Sequence, residues 1–347
     1  MSLLATLGID LPIIQAPMAG VSSPALAAAV ANAGALGSIG VGATDADGAS
    51  KMIAEVRARS NRSLNVNVFC HRPPQADVAR EAAWLEHLRP QFAKFGAQPP
   101  AGLREIYRSF LDDDAMLTAL VAARPRVVSF HFGLPSPELI DRVRAWGAKI
   151  LSSATTVEEA RWLEAHGVDA VIAQGVEAGG HRGMFLTDDV STQVTTMALV
   201  PQVVKAVSIP VIAAGGIADA SGVRAAIDLG ASGVQVGTSY LLCPEATTSA
   251  LHRAALASDA SRHTALTNLF TGRPARAIVN RLMRELRPMS SLPPAFPLAA
   301  SAIAPLKARA ESRGVTDCSS MWAGQNTSGC REIPAADLTR ALAEGLS

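Results

Sequence analysis

Apolar residues in this chain come in short unbroken runs, each separated from the next by a stretch with helical spacing. Around Gly34, Gly147, Gly167 and Gly230 one unit recurs: an Ala/Leu/Val-rich helix, a glycine, a short link and an apolar strand. Glycine there matches the left-handed residue that ends many helices. The helix starts agree: Ser23-Pro24 offers an N-cap followed by proline, and Thr156-Val-Glu-Glu159 has capping-box spacing. Eight runs read as strands, at 12–16, 35–40, 64–69, 127–131, 149–153, 170–173, 211–214 and 233–236. Continuous rather than alternating apolar character marks strands covered on both faces, as in parallel sheets. Eight strands alternating with helices predict an α/β fold, a closed (β/α)8 TIM barrel; an open doubly wound sheet is the alternative that periodicity leaves open.

Two regions break the rhythm. Residues 71–126 are too long for one helical crossover and hold Pro73-Pro74, a helical run near 77–88, Pro99-Pro100 and a second run near 112–123. They read as an insertion after the third strand. Past Cys243 come polar helices, a proline-rich stretch at 288–305 and a polar tail. The expected organisation is a barrel of 1–243 with 315–347, carrying the insertion 71–126, and a helical substrate or lid lobe of 244–314 over the barrel mouth. Long insertions in compact folds commonly serve as lids or binding loops.

The chain of 347 residues is 49% hydrophobic and 18% charged, which supports a large core. A formal charge of +1 and 4% aromatics argue against nucleic acid or an anionic membrane as partner. Cys70, Cys243, Cys318 and Cys330 form no C-x-x-C pair, so neither a disulfide framework nor a zinc site is expected. Thiols in a reducing, cytoplasmic setting fit better. Neither a secretory signal nor a membrane span is read. The expected state is a monomer or homodimer.

Barrel enzymes place their chemistry on the loops after the strands. The sixth strand is followed by Gln174-Gly-Val-Glu-Ala-Gly-Gly-His-Arg-Gly183, where Gly179, Gly180 and Gly183 surround His181. A histidine on a bare-backbone loop is a candidate general base. Gly215-Gly216 and Gly237-Thr238 follow the seventh and eighth strands, where backbone N–H groups and a hydroxyl commonly hold phosphate. The amides of Gln15, Asn67, Gln174 and Gln235 match the alternating donors and acceptors of a flavin ring. His131 reads either as pocket lining or as an inner hydrogen-bonded residue. Tyr107 and Lys307 fall in the two irregular regions, where a surface place is the ordinary expectation. His71, His131 and His181 come from separate loops with no ligand spacing, so no metal is expected.

Together these motifs resemble the flavin-dependent nitronate monooxygenases, formerly called 2-nitropropane dioxygenases. The motifs are Gln15-Ala-Pro-Met-Ala-Gly20, Asn65-Val-Asn-Val-Phe69, Ser129-Phe-His-Phe-Gly133, the His181 loop, Ala214-Gly-Gly-Ile217 and Gln235-Val-Gly-Thr238. The resemblance covers nearly the whole chain. The His181 loop by itself is also similar to those of NADH:quinone reductases and flavin-dependent enoyl-ACP reductases. The strand at 67–69, the Ser129 motif and the tail Ser320-Met-Trp-Ala-Gly-Gln325 are similar to the class I branch.

The resemblance implies FMN across the barrel mouth. Its phosphate would meet the backbone at Gly180, Gly216, Gly237 and Thr238, with Gly179 and Gly215 also among the cofactor-binding residues. Its ring would lie near Ala16, Pro17, Met18, Asn67, Gln174 and Gln325, and Gln235, Trp322, Ala323 and Gly324 complete the cofactor-binding set. It implies oxidation of alkyl nitronates, propionate 3-nitronate or larger, by O2 to a carbonyl compound and nitrite without NAD(P)H. His181 matches the active-site histidine, and Asn67, Tyr107, His131 and Lys307 would face substrate. An FMN-dependent NAD(P)H reductase of quinones or enoyl thioesters is the alternative on the same barrel; a non-catalytic flavin module and a flavin-free phosphate-ligand barrel are more distant ones. The lobe tyrosines of the class I pattern are missing, since Tyr107 and Tyr240 are the only two tyrosines. Phe296 and Leu298 stand in that segment, which predicts a less polar pocket and a bulkier or more apolar nitronate.

Overall fold

The computed structural model describes residues 2–346. Its strands are β1 (Ile13–Gln15), β2 (Gly37–Gly40), β3 (Leu64–Phe69), β4 (Val127–His131), β5 (Lys149–Ala154), β6 (Ala170–Gln174), β7 (Gly180–His181), β8 (Val211–Ala214), β9 (Gly233–Val236), β10 (Thr264–Thr267) and β11 (Ala275–Ile278). All but β7, β10 and β11 form one parallel sheet, in the order β1-β9-β8-β6-β5-β4-β3-β2. A bridge between Ile14 and Leu36 joins its two ends, so the sheet is a closed barrel. The eight expected strands are all present.

The seam between β1 and β2 is short. The Gln15 N–H donates to the Leu36 carbonyl at 3.0 Å, and Leu36 donates back to Ile13 at 2.9 Å. The next N–H, that of Ser38, goes to the Gln15 side-chain oxygen at 2.9 Å. The Gln15 amide nitrogen donates to Ser22 Oγ at 2.9 Å. The side chain extends the ladder where the strand is too short to do so. This corrects the expectation that the Gln15 amide faces a flavin.

Strand residues alternate between two cores, as the period-2 geometry requires. Ile13, Ile39, Val66, Val128, Ile150 and Val234 pack outward against the helices. Ile14, Leu36, Leu151, Ile172 and Ile212 point into the barrel, where they meet Leu3 and Leu7 of the first helix, Leu3–Leu7. Full burial of each such side chain is worth about 1.5–3 kcal/mol. Towards the strand C-termini the buried positions turn polar, with Asn67, Ser129, Ser153 and Gln174. That polar layer is the floor of the site.

A further core lies above the mouth. Trp84, Leu88, Phe92 and Phe95 of the helix Val78–Phe95 pack with Phe270, Leu282, Met283, Ile303 and Leu306. The insertion and the post-243 lobe are therefore one body. Helix Asp114–Ala123, expected as part of the insertion, instead packs with the barrel helix Ala46–Arg57, through Met116, Leu117 and Leu120 in the outer barrel core. The lobe is also not purely helical. Strands β10 and β11 form an antiparallel hairpin, and β11 pairs in turn with β7. Four-residue strands built on Ala and Thr carry no periodicity that distinguishes them from loop.

Helix Ala335–Ala343 returns to the barrel and packs beside Pro24–Asn32 and Ala220–Asp228, burying Ala335, Leu338 and Leu342. It fills the position of the eighth barrel helix, so the lobe is an excursion between strand β9 and that helix. Among the described residues no helix is long and apolar enough to cross a membrane.

Candidate active site

A cavity of about 440 Å³ opens at the C-terminal ends of the barrel strands, beneath the lobe. From the barrel it is lined by Ala16, Pro17 and Met18 after β1, Asn67 on β3, His131 on β4, Gln174 on β6, Gly179, Gly180 and His181, then Gly215, Gly216, Gln235, Gly237 and Thr238. Tyr107, Lys307, Trp322 and Gly324 line it from above. Two expected residues do not. Ala323 is fully buried behind the wall. Gln325 is exposed, with its N–H donating to the Glu177 carbonyl at 2.9 Å. Asn326 takes the rim instead, donating from Nδ2 to the Gly216 carbonyl at 3.0 Å. The backbone crossing of Gly324 over Gly179 sets this phase, because the two chains touch there without side chains.

The His181 loop is held from three directions. Residues 180–181 pair with β11. Arg182, fully buried, donates to Gln193 Oε1 at 2.8 Å and to the carbonyls of Gly175 at 2.7 Å and Gln174 at 2.6 Å. Burial lowers its guanidinium to about 9. The Gln174 amide donates to the His181 carbonyl at 3.0 Å and accepts the Gly183 N–H at 2.8 Å. Gln174 thus borders the cavity, but both ends of its amide serve the loop. The capping box at Thr156 is half as expected: Thr156 Oγ1 accepts the Glu159 N–H at 3.2 Å. The Glu159 carboxylate reaches past the cap, to Thr155 at 2.7 Å and to the N–H groups of Phe185 and Leu186 at 2.5 and 3.2 Å.

His131 and His181, at one end of the cavity, are both neutral. His131 Nε2 lies 3.2 Å from the His181 carbonyl, which can only accept, so Nε2 carries the proton. Its Nδ1 then accepts from Ser153 Oγ at 3.1 Å. Burial pushes His131 down to about 4. His181 Nε2 lies 2.9 Å from Thr271 Oγ1, and its ring meets Phe296, Trp322 and Phe132 at 5.3, 5.2 and 6.0 Å. Burial first, then the nearby His131 and Arg273, push His181 down to about 3. Arg273 sits 4.3 Å above the Phe132 ring and donates to the Met184 carbonyl.

Several polar atoms at the cavity have no partner. Gln235 Oε1 is buried and unpaired. Asn67 donates from Nδ2 to Ser129 O and Oγ, both at 3.0 Å, and its carbonyl oxygen accepts nothing. The N–H groups of Gly216, Gly237 and Thr238 make no hydrogen bond among the described residues. Thr238 Oγ1 accepts the Gly324 N–H at 2.9 Å, so its proton is free to be donated. A β-carbon on Gly180, where φ is +72°, would stand in open space.

Tyr107 and Phe296 stack at 5.8 Å, and Phe69 meets Tyr107 edge-on at 5.9 Å. This gives the His181 end an aromatic wall. Phe296 and Leu298, both expected at the pocket, are buried outside its lining, Phe296 standing behind Tyr107. At the far end Lys307 lies 3.9 Å from Glu311, near His252, whose Nε2 is buried and unpaired. Sequence reasoning missed Arg182, His252, Thr271 and Arg273. Arg182 was within reach, being next to His181 in the loop; the others lie in the lobe with no motif spacing to mark them.

The nitronate monooxygenase family model matches residues 1–345. A nitronate monooxygenase of Pseudomonas aeruginosa is 49% identical over 341 residues, covering 98% of this chain and 97% of that protein. A solved nitroalkane oxidase from Streptomyces ansochromogenes superposes with a TM-score of 0.90 at 41% identity, covering 99% of this chain and 97% of that one. FabK from Thermotoga maritima superposes with a TM-score of 0.74 at 28% identity, over 99% and 96%. A match along essentially the whole chain, together with a close relative of equal length, makes this protein an oxidoreductase of the nitronate monooxygenase family.

Proposed function

We propose that this enzyme oxidises alkyl nitronates with O2 to a carbonyl compound and nitrite, using FMN and no NAD(P)H. The observation that carries the reading is the set of unpaired polar atoms around the cavity, beneath a neutral His181. They suit FMN. The free N–H groups of Gly216, Gly237 and Thr238, with the Thr238 hydroxyl, would hold its phosphate. Gln235 Oε1 and Asn67 Oδ1 would accept from its ring edge, beside Ala16, Pro17 and Met18. When bound, FMN supplies the electron acceptor for the substrate and the route to O2.

The chain's own residues do the rest. Gln174 and His131 fix the His181 carbonyl, and Thr271 fixes its ring, so the imidazole is presented in one orientation. Phe69 and Tyr107, backed by Phe296, would shield the substrate's alkyl part from water. Lys307 supplies a cation at the other end of the cavity. The aromatic wall supports a larger or more apolar nitronate as the preferred substrate.

The test is O2 uptake by the purified yellow protein with propionate 3-nitronate and with longer alkyl nitronates, NAD(P)H being absent. Uptake with nitrite release, and a higher kcat/KM for the longer substrates, is expected. Bleaching of the flavin by NADH, with no uptake on any nitronate, would replace this reading by the reductase one. A preference for the small anion would overturn the substrate assignment alone.

A further inference from the structure

Thr271 has no place in any motif, yet it touches His181. It is 4% exposed, so water does not reach its hydroxyl freely. It opens a turn that cannot relax. Gly272 has φ +87°, and a β-carbon on it would fall 2.2 Å from the Pro294 carbonyl oxygen. The Gly272 N–H is bonded to Asn268 O at 2.8 Å, and the Pro274 carbonyl accepts the Arg182 N–H at 2.9 Å. The turn is therefore tied both to the lobe and to the His181 loop.

The Thr271 hydroxyl has one proton and two neighbours. One is the Arg273 carbonyl oxygen at 3.3 Å, which can only accept. The other is His181 Nε2 at 2.9 Å. Both contacts are satisfied only if the hydroxyl donates to Arg273 and Nε2–H donates to Oγ1. His181 Nδ1 has no hydrogen-bond partner among the described residues, and the side chain borders the cavity.

We infer that Thr271 is the positioning residue of His181: it holds the imidazole in the Nε2–H tautomer and leaves the Nδ1 lone pair facing the cavity. The consequence rests on the function proposed above. That lone pair is the one a proton transfer from a neutral nitroalkane to His181 would need. The α C–H bond breaks, the proton passes to Nδ1, and the electron pair stays on the substrate, delocalised into the nitro group as the nitronate. No oxidant is needed for that step. Arg273, the nearby cation, favours the neutral imidazole that begins it.

The test uses the holoenzyme. ¹⁵N spectra of histidine-labelled wild type, with His181 assigned by its loss in His181→Gln, are expected to show a protonated Nε2 and a bare Nδ1. Thr271→Val should mix or reverse the tautomers, and Thr271→Ser should restore them. In parallel, the ratio of kcat/KM for nitroethane to that for ethyl nitronate should fall about tenfold in Thr271→Val, roughly 1.4 kcal/mol, and recover in Thr271→Ser. A wild-type His181 protonated on Nδ1, or a ratio unmoved by Thr271→Val, would overturn the inference. Inactivity of the wild type on both substrates would sink the proposed function instead, while the spectra still decide the tautomer.

Discussion

A β-carbon on Gly179 would lie 2.6 Å from the amide nitrogen of Gly324. The relation is mutual, since a β-carbon on Gly324 would fall 2.9 Å from the Glu177 carbonyl oxygen and 3.3 Å from the Gly179 nitrogen. The His181 loop and the segment after the lobe cross here backbone on backbone. Gly324 also donates to Thr238 Oγ1. A side chain at either glycine forces the strands apart and removes that bond. We expect Gly179→Ala and Gly324→Ala to lower flavin content and thermal stability, with a destabilisation of about 1–3 kcal/mol typical of overpacking. The flavin-to-protein absorbance ratio and thermal melts check this; unchanged values in both variants would show that the crossing is slack.

Gln235 gives a separation of folding from binding. Its buried oxygen has no partner in the protein, so replacing it removes no internal bond. Gln235→Leu is expected to leave the flavin-free protein as stable as wild type or more so. Flavin affinity is expected to fall about tenfold, the equivalent of roughly 1.4 kcal/mol. Titration of the apoprotein with FMN measures the second quantity, and urea unfolding the first. An unaltered affinity would remove Gln235 from the cofactor set.

Gln174 should behave in the opposite way. Its amide makes two bonds, to the His181 carbonyl and the Gly183 N–H, and both partners are buried or half-buried. Gln174→Leu leaves the buried Gly183 N–H unmatched, at a cost of about 1–3 kcal/mol, and leaves the His181 carbonyl with His131 alone. Melting of the flavin-free protein should fall clearly, and turnover with it. A variant as stable as wild type would show that Gln174 acts on a ligand and not on the loop.

Acid should destabilise the fold through its histidines. His71, His131 and His252 are pushed down to about 4 and His181 to about 3, chiefly by burial. Unfolded histidines titrate near about 6.5. Between those values the unfolded chain binds more protons than the folded one, so stability is full above pH ~6.5 and is lost as pH falls towards ~4. Each such group contributes a slope of up to about 1.4 kcal/mol per pH unit in that window. Urea unfolding at several pH values from ~7.5 to ~4.5 measures it. His131→Gln should flatten the slope; a pH-independent midpoint would contradict the account.

The barrel was legible because its signal is repetitive and local. Apolar runs, the glycines at 34, 147, 167 and 230, and the loops that follow each strand all carry their geometry in residue type. The cavity lining followed, since strand ends converge at one mouth in a barrel. The errors share another origin. Gln15, Gln174 and Gln325 are all amides near the mouth, but whether an amide faces a cavity, a seam or solvent depends on which backbone groups lie unpaired beside it. Those neighbours are fixed by the fold: Ser38, on the adjoining strand, for Gln15, and Gly183, brought back by the turn of the His181 loop, for Gln174, while Gln325 is placed by its own backbone N–H on the Glu177 carbonyl. Thr271 and the β10–β11 hairpin were invisible for the same reason, their meaning lying in a contact with a two-residue strand elsewhere.

The return of helix Ala335–Ala343 to the barrel has a consequence for biosynthesis. The eighth staves-and-hoop position stays bare until the whole lobe has been translated, and Thr316 to Asn326, which complete the cavity wall, emerge just before that helix. A nascent chain halted anywhere in the lobe therefore has a complete strand ring but lacks its last covering helix and a finished pocket. Cover for the last open stretch of the barrel's outer face and competence to hold a ligand arrive together, so a prematurely terminated product is expected to lack both.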